Sequence, residues 1–84
     1  MEIRFTQSAR KHRIGKAHAK FVILNYESML IPGDSVAADQ RIWIGQDDRG
    51  LELEIVAIVS GESLLIIHVM PTVFRKVKKQ WRLK

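Results

Sequence analysis

Between Arg41 and Met70 the chain holds three apolar segments separated by two short polar ones, and this stretch constrains the fold more than any other. Arg41–Gln46 is rich in β-formers, Leu51–Val59 begins with strict alternation, and Leu64–Met70 is a continuous apolar run. Alternation at a period of two gathers one set of side chains on a single face of a strand. The intervening Asp47-Asp48-Arg49-Gly50 and Ser60-Gly61-Glu62-Ser63 have the composition of compact turns. The segments therefore predict an antiparallel meander.

Turn centres set the register. A turn centred on Asp48–Arg49 opposes Asp47 to Gly50 and pairs Ile44 with Leu53, Ile42 with Ile55 and Trp43 with Glu54. A turn centred on Gly61–Glu62 pairs Ile55 with His68 and Leu53 with Met70. Opposed residues share a face. One face then collects Ile42, Ile44, Leu51, Leu53, Ile55, Ala57, Leu64, Ile66 and Met70, with His68 as its ionisable member. The other carries Trp43, Glu52 and Glu54 at one end and Val56, Ile58, Leu65, Ile67 and Val69 at the other. A slip of one residue exchanges these assignments. The first face is expected to take the N-terminal helices. The second meets either the chain's own C-terminal helix or a partner, whether a second copy in a homodimer or an acidic protein segment.

Outside the meander, Glu2–Phe5 reads as a short strand, and Thr6-Gln7-Ser8 offers cap residues ahead of a helix over Ser8–Arg13. Gly15 interrupts it, and Lys16–Asn25 reads as a second helix with Ala17, Phe21 and Leu24 on one face. Ile31–Gln40, with Pro32, Gly33, Asp34 and Ser35, has loop composition. Val73, Val77 and Trp81 recur every four residues and mark a closing helix over Thr72–Arg82. The expected fold is α+β in the order β-α-α-β-β-β-α, one domain over residues 1–84, with two N-terminal helices on one face of an antiparallel sheet and a C-terminal helix. Eighty-four residues lie near the small end of what folds by apolar burial, and a hydrophobic share of 46% supplies the core this requires. The absence of cysteine excludes disulfides and thiolate metal sites. The N-terminal MEIRFTQS has no apolar signal core, and no apolar run approaches the roughly 20 residues of a membrane span. A cytoplasmic protein with no membrane partner is expected.

Charge is segregated along the chain. Both ends are basic and the middle is acidic, for a net +5. One basic cluster is Arg10, Lys11, Arg13, Lys16 and Lys20, with His12 and His18 among them; the other is Arg75, Lys76, Lys78, Lys79, Arg82 and Lys84. Two basic surfaces on a small sheet domain suit a polyanion, and nucleic acid is the first to consider. Cleaving RNA requires a group to take the 2′-hydroxyl proton, a group to protonate the leaving oxygen, and cations for the charged intermediate. His12 titrates in the range suited to either proton transfer. Lys11, Arg13 or Lys16 can stabilise the phosphate, with Arg10 beside them. Arg75, Lys78 and Lys79 are candidates for phosphate contact or for docking an acidic partner. The plain structural reading of both clusters is a solvated helix face. His68 is either a core histidine with one satisfied hydrogen bond or a residue lining a cleft near its strand's end. Glu52 and Glu54 read as the wet side of a strand. His12 and His18 flank Gly15 and lack the i, i+4 spacing of a helical metal pair, so neither a metal nor another cofactor is expected.

These residues resemble a known family. The predicted element order is similar to the RelE-type fold of bacterial toxin–antitoxin toxins, and the local sequence looks most like the BrnT branch. Lys11-His12 followed by Ile14 resembles that family's Lys-His-Gly-Val helix junction; Ile44-Gly45 resembles its Leu-Gly; Gly50 and Gly61 match its turn glycines. Ile66-Ile67-His68-Val69-Met70 aligns with its Ile-Ile-Ser-Ala-Arg strand, and a basic helix follows in both. The likeness covers roughly residues 9–82. It departs at Met70, where the family has arginine, at Ala57, where histidine is common, and at Leu65, where a basic residue is frequent. The resemblance implies the toxin of a type II pair, a metal-independent mRNA endoribonuclease with a cognate antitoxin. Lys11 and His12 are then the matched polar pair, and His68 and Arg75 stand in for the missing groups. The alternative is a RelE-like module that binds a partner protein or nucleic acid without cutting it. A DNA-binding helix pair over residues 8–25 is weaker, because its second helix is apolar where base-reading side chains are required.

Overall fold

The computed structural model describes residues 2–30 and 39–74. Strand β1 (Glu2–Phe5) leads through a 3-10 turn (Ser8–Arg10) to helix α1 (Lys16–Asn25), followed by strands β2 (Met29–Leu30), β3 (Asp39–Gln46), β4 (Glu52–Ser60) and β5 (Ser63–Pro71). The strands form one sheet in the order β1-β5-β4-β3-β2. Among the described strands only the β1–β5 pair is parallel. The fold is thus α+β with a mostly antiparallel sheet, and the meander is its centre. Residues 72–74 are helical; the remainder of the expected Thr72–Arg82 helix, with Arg75, Lys78 and Lys79, lies outside the described residues, as does 31–38. Among the described residues no helix is long and apolar enough to cross a membrane.

Two expectations at the N-terminus are corrected. The segment Ser8–Arg13 is not an α-helix: the Ala9, Arg10 and Lys11 amides donate three residues back, to Thr6, Gln7 and Ser8 carbonyls. The turn stops there because Arg13 takes a left-handed conformation (φ 58°) and Gly15 is extended. A helix this short has too few propagating bonds to offset its nucleation. Helix α1 has the expected bounds, but it buries Ala19, Val22 and Ile23, and not Ala17, Phe21 and Leu24. Leu24 is 76% exposed.

The first hairpin is shifted by one residue from the expected register, and Gly50 is the reason. Asp47 pairs with Leu51, its amide donating to the Leu51 carbonyl at 2.9 Å, across a three-residue loop. Gly50 sits at φ 85°, the left-handed position that ends such loops and that glycine occupies without strain. The Asp47 carboxylate accepts from the Arg49 and Leu51 amides (2.8 and 3.0 Å) and holds the loop closed. Trp43 therefore pairs with Ile55, and Ile44 with Glu54. Trp43 joins the core, while Ile42 and Ile44 pass to the outer face; both assignments reverse the expectation.

The second hairpin keeps its expected register only near the turn. Gly61 (φ 60°) and Glu62 form a two-residue loop, and Ser60↔Ser63 to Ala57↔Ile66 follow. A bulge at Val56/Ala57 then inserts Ile67 as an extra residue, so that Val56 pairs with His68 and Ile55 with Val69. Ile66 and Val69 both reach the core, and His68 and Met70 move to the face opposite α1. The expectation that His68 belongs to the helix-covered face is overturned by this one inserted residue.

The core lies between α1 and the sheet, where Val22 and Ile23 share one buried cluster with Trp43, Leu53, Ile55, Ala57, Ile66 and Val69. Each fully buried aliphatic there contributes about 1.5–3 kcal/mol by leaving water. Tyr26, just past α1, lays its ring on Gly45, where an added Cβ would stand 2.5 Å from ring carbons. The helix exit approaches β3 this closely because position 45 has no side chain. The outer face carries Ile42, Ile44, Val56, Ile58 and Leu65, all half-buried.

Candidate active site

The site is built where β1 gives out. That strand ends at Phe5, paired with Ile66, and the Thr6 amide still donates to the Ile66 carbonyl (3.0 Å). The second half of β5 runs on without β1, and the 3-10 turn packs against it instead. Ala9, 2% exposed, anchors that turn to the core. Ser8, Lys11 and His12 are thereby set beside the part of β5 that the bulge has rotated. Together with His68 they form the polar wall of a cleft of about 410 Å³, whose apolar wall is Ile67, Met70 and Phe74. A second cavity of about 470 Å³ lies at Arg41, Trp43, Val59, Glu62 and Leu64. It is larger but holds no histidine, so proton-transfer chemistry points to the first.

The rings in the cleft are close. The centroids of His12 and His68 are 6.4 Å apart, edge to face, and those of His12 and Phe74 are 5.5 Å apart at 60°. The Nε2 of His68 is buried and lies 3.2 Å from Oε2 of Glu54. The contact lies within ion-pair distance but lacks the angles of a directed hydrogen bond, and it is one of charge only when His68 carries a proton. Glu54 is 9% exposed and pairs with Met70 across β4–β5. That makes it the diagonal neighbour of His68 on the outer face. Two imidazoles, side chains that serve in proton transfer, thus share the cleft, with a carboxylate behind one and Lys11 in the lining.

The three candidate catalytic residues, Lys11, His12 and His68, thus border one cleft. The expected phosphate contacts are more scattered. Arg10, Arg13 and Lys16 are exposed on the turn, the linker and the start of α1. The Lys16 ammonium stands 5.8 Å over the Phe5 ring, a cation–π distance. Arg75, Lys78 and Lys79 lie outside the described residues. Two residues of the site were not anticipated. The sequence pattern sets Glu54 on a wet strand face, and its meeting with His68 depends on a bulge that no local residue marks. Phe74 was legible only as an aromatic off the Val73/Val77/Trp81 stripe. Of the departures from the resembled family, Met70 lines the cleft, whereas Ala57 is fully buried in the core on the other face.

A second histidine–carboxylate pair stands on the α1 side. His18 Nδ1 and Asp48 Oδ1 are 2.5 Å apart and tie the helix to the β3–β4 turn. His18, Asp47 and Asp48 bring ligand atoms within 4.8 Å of one another, a spacing compatible with a cation. Asp47 is not available for one. Its Oδ1 accepts the Arg49 and Leu51 amides, and its Oδ2 accepts Arg49 Nε and Nη2 at 3.0 and 2.7 Å. Burial pushes the Asp47 carboxyl up, but the Arg49 side chain and these amides outweigh it and hold the group below its ordinary value. His18 and Asp48 alone do not make a metal site. No family model, no curated protein and no solved structure matches the chain.

Proposed function

We propose that the protein is the toxin of a type II toxin–antitoxin pair, a cytoplasmic, metal-independent endoribonuclease acting on mRNA through the His12–His68 cleft. The observation that carries this reading is convergence. Lys11 and His12 come from the turn after β1, His68 from β5 and Glu54 from β4, yet they meet at one place. In the reaction the 2′-hydroxyl oxygen attacks the adjacent phosphorus, and the bond to the 5′-oxygen breaks. One imidazole takes the 2′-hydroxyl proton and the other gives a proton to the departing 5′-oxygen, leaving a 2′,3′-cyclic phosphate. Lys11 offsets charge on the phosphate oxygens. Glu54 holds the His68 ring in place.

Further support comes from the resembled junction. Arg13 occupies the left-handed conformation at the position which that motif fills with glycine, and the two matched turn glycines, Gly50 and Gly61, both have positive φ. The RelE-like topology belongs to this reading, with the 3-10 turn in place of its first helix. The cognate antitoxin is expected to place an acidic segment against the basic ends of the chain, and a homodimer through the outer sheet face is the other candidate assembly. One observation favours a non-catalytic module instead: Met70 brings a thioether to the cleft where the resembled strand brings a guanidinium. Purified protein incubated with single-stranded RNA in EDTA separates the two. Cutting that His12→Ala abolishes supports the nuclease; binding without cutting moves the assignment to the module.

A further inference from the structure

Phe74 is 46% exposed, as is its neighbour Val73 at 51%, whereas Pro71 and Thr72 at the end of β5 are buried. Isolated surface aromatics are ordinary. This one is not isolated, for it forms the apolar side of the cleft whose other side is Lys11, His12 and His68. Its ring meets the His12 ring at 60° and 5.5 Å, so the two planes make an open corner. Met70, with its polarisable thioether, also lines the cleft. A ligand matched to such a place has a flat, apolar face within one residue's reach of an anionic group. A nucleotide has this form.

We infer that Phe74 is the stacking platform for one unpaired base of the RNA, next to the phosphate held at Lys11 and the two histidines. The inference rests on the reading of the cleft as an RNA site and adds to it what the site selects. A base inside a duplex is already stacked and its face is covered, whereas a base in a single strand can turn out onto an aromatic ring. Phe74 therefore makes the site selective for single-stranded RNA, without being a catalytic residue.

A single-stranded RNA with 2′-O-methyl sugars tests this, since the attacking hydroxyl is blocked and binding is read without cleavage. One position carries 2-aminopurine, whose emission reports stacking. The wild type is expected to bind the strand more tightly than a hairpin of the same sequence, with an emission change on binding. Phe74→Ala should weaken binding roughly 5- to 100-fold and remove the emission change. Phe74→Trp should keep both, and Phe74→Leu, which retains apolar bulk but has no flat face, should behave like alanine. Should alanine, leucine and wild type bind alike with the same emission change, the platform is wrong while the RNA site stands. A wild type that binds neither strand nor hairpin overturns both the platform and the nuclease reading.

Discussion

Among the described residues, two histidine–carboxylate pairs, His18–Asp48 and His68–Glu54, are made of the same chemistry and set in opposite circumstances. His18–Asp48 closes the seam between α1 and the β3–β4 turn, beside an Asp47 carboxylate whose two oxygens accept four hydrogen bonds. Asp47 is committed to its own turn, while His18 and Asp48 meet at the surface, their side chains 28% and 48% exposed. His68–Glu54 lies on the other face of the sheet, with the Nε2 of His68 lacking a directed hydrogen bond and a second imidazole 6.4 Å away at the edge of an open cleft. The contrast teaches that a histidine beside a carboxylate says little by itself. What separates a clasp from a candidate site here is whether a second proton-transfer group and space for a ligand adjoin the pair.

The largest effect that can break this comparison is on cleavage. His68→Ala should lower RNA cutting by about 10²- to 10⁴-fold, the range for removing one proton-transfer group. Glu54→Gln should lower it less, and His18→Ala should leave it unchanged. Rates measured in EDTA on one RNA substrate decide this, and equal losses from His18 and His68 variants would erase the distinction.

Next in size is the seam itself. Gly45→Ala would force a Cβ into the Tyr26 ring, which should cost about 1–3 kcal/mol in urea unfolding. The same change in a Tyr26→Ala background should cost much less, because the clash has lost its partner.

Acid should act on the turn through Asp47. Its carboxyl is held below its ordinary value in the folded protein, so its stabilisation is fully present above the unfolded pKa of about 3.9 and is lost as pH falls through the folded value. Asp47→Asn should therefore lower stability at pH 7 by about 1.5–3 kcal/mol, the scale of hydrogen bonds to a charged group, and flatten the acid limb. Chemical unfolding from pH 7 down to pH 2 reads both.

The smallest effect sharpens the contrast from the other side. Asp48→Asn should cost only about 0.2–1 kcal/mol in urea unfolding, the scale of a partly exposed side-chain contact. A larger loss would mean that the clasp holds α1 against the sheet more firmly than its exposure implies.

Much of this was legible in the sequence, and the parts that were not share a cause. The three meander strands, the two turns and the bounds of α1 follow from alternation, glycine placement and helix-breaking residues, all of which act over a few neighbours. Lys11, His12 and His68 could be chosen as candidates because their side chains carry the relevant protons and charge. Apolar spacing points to the wrong face of α1 because Phe21 and Leu24 are apolar yet exposed, while small Ala19 is buried where the helix approaches the sheet. The register of the first hairpin is ambiguous in sequence because Asp47-Asp48-Arg49-Gly50 suits both a two- and a three-residue loop, and Gly50 at positive φ selects the longer.

By itself, then, the sequence determined which residues form strands, where the hairpins turn and which side chains have chemistry to offer. Tertiary structure decided which of them meet. The extra Ile67 in β5 has no local signature, since Leu65-Ile66-Ile67-His68-Val69 is equally compatible with an unbroken strand. Packing makes the choice: Ile66 and Val69 are both buried against α1's side of the sheet, and two residues must pass between them in place of one. Because strand side chains alternate, that single insertion carries His68 from the core face to the outer one, where Glu54 and His12 are waiting.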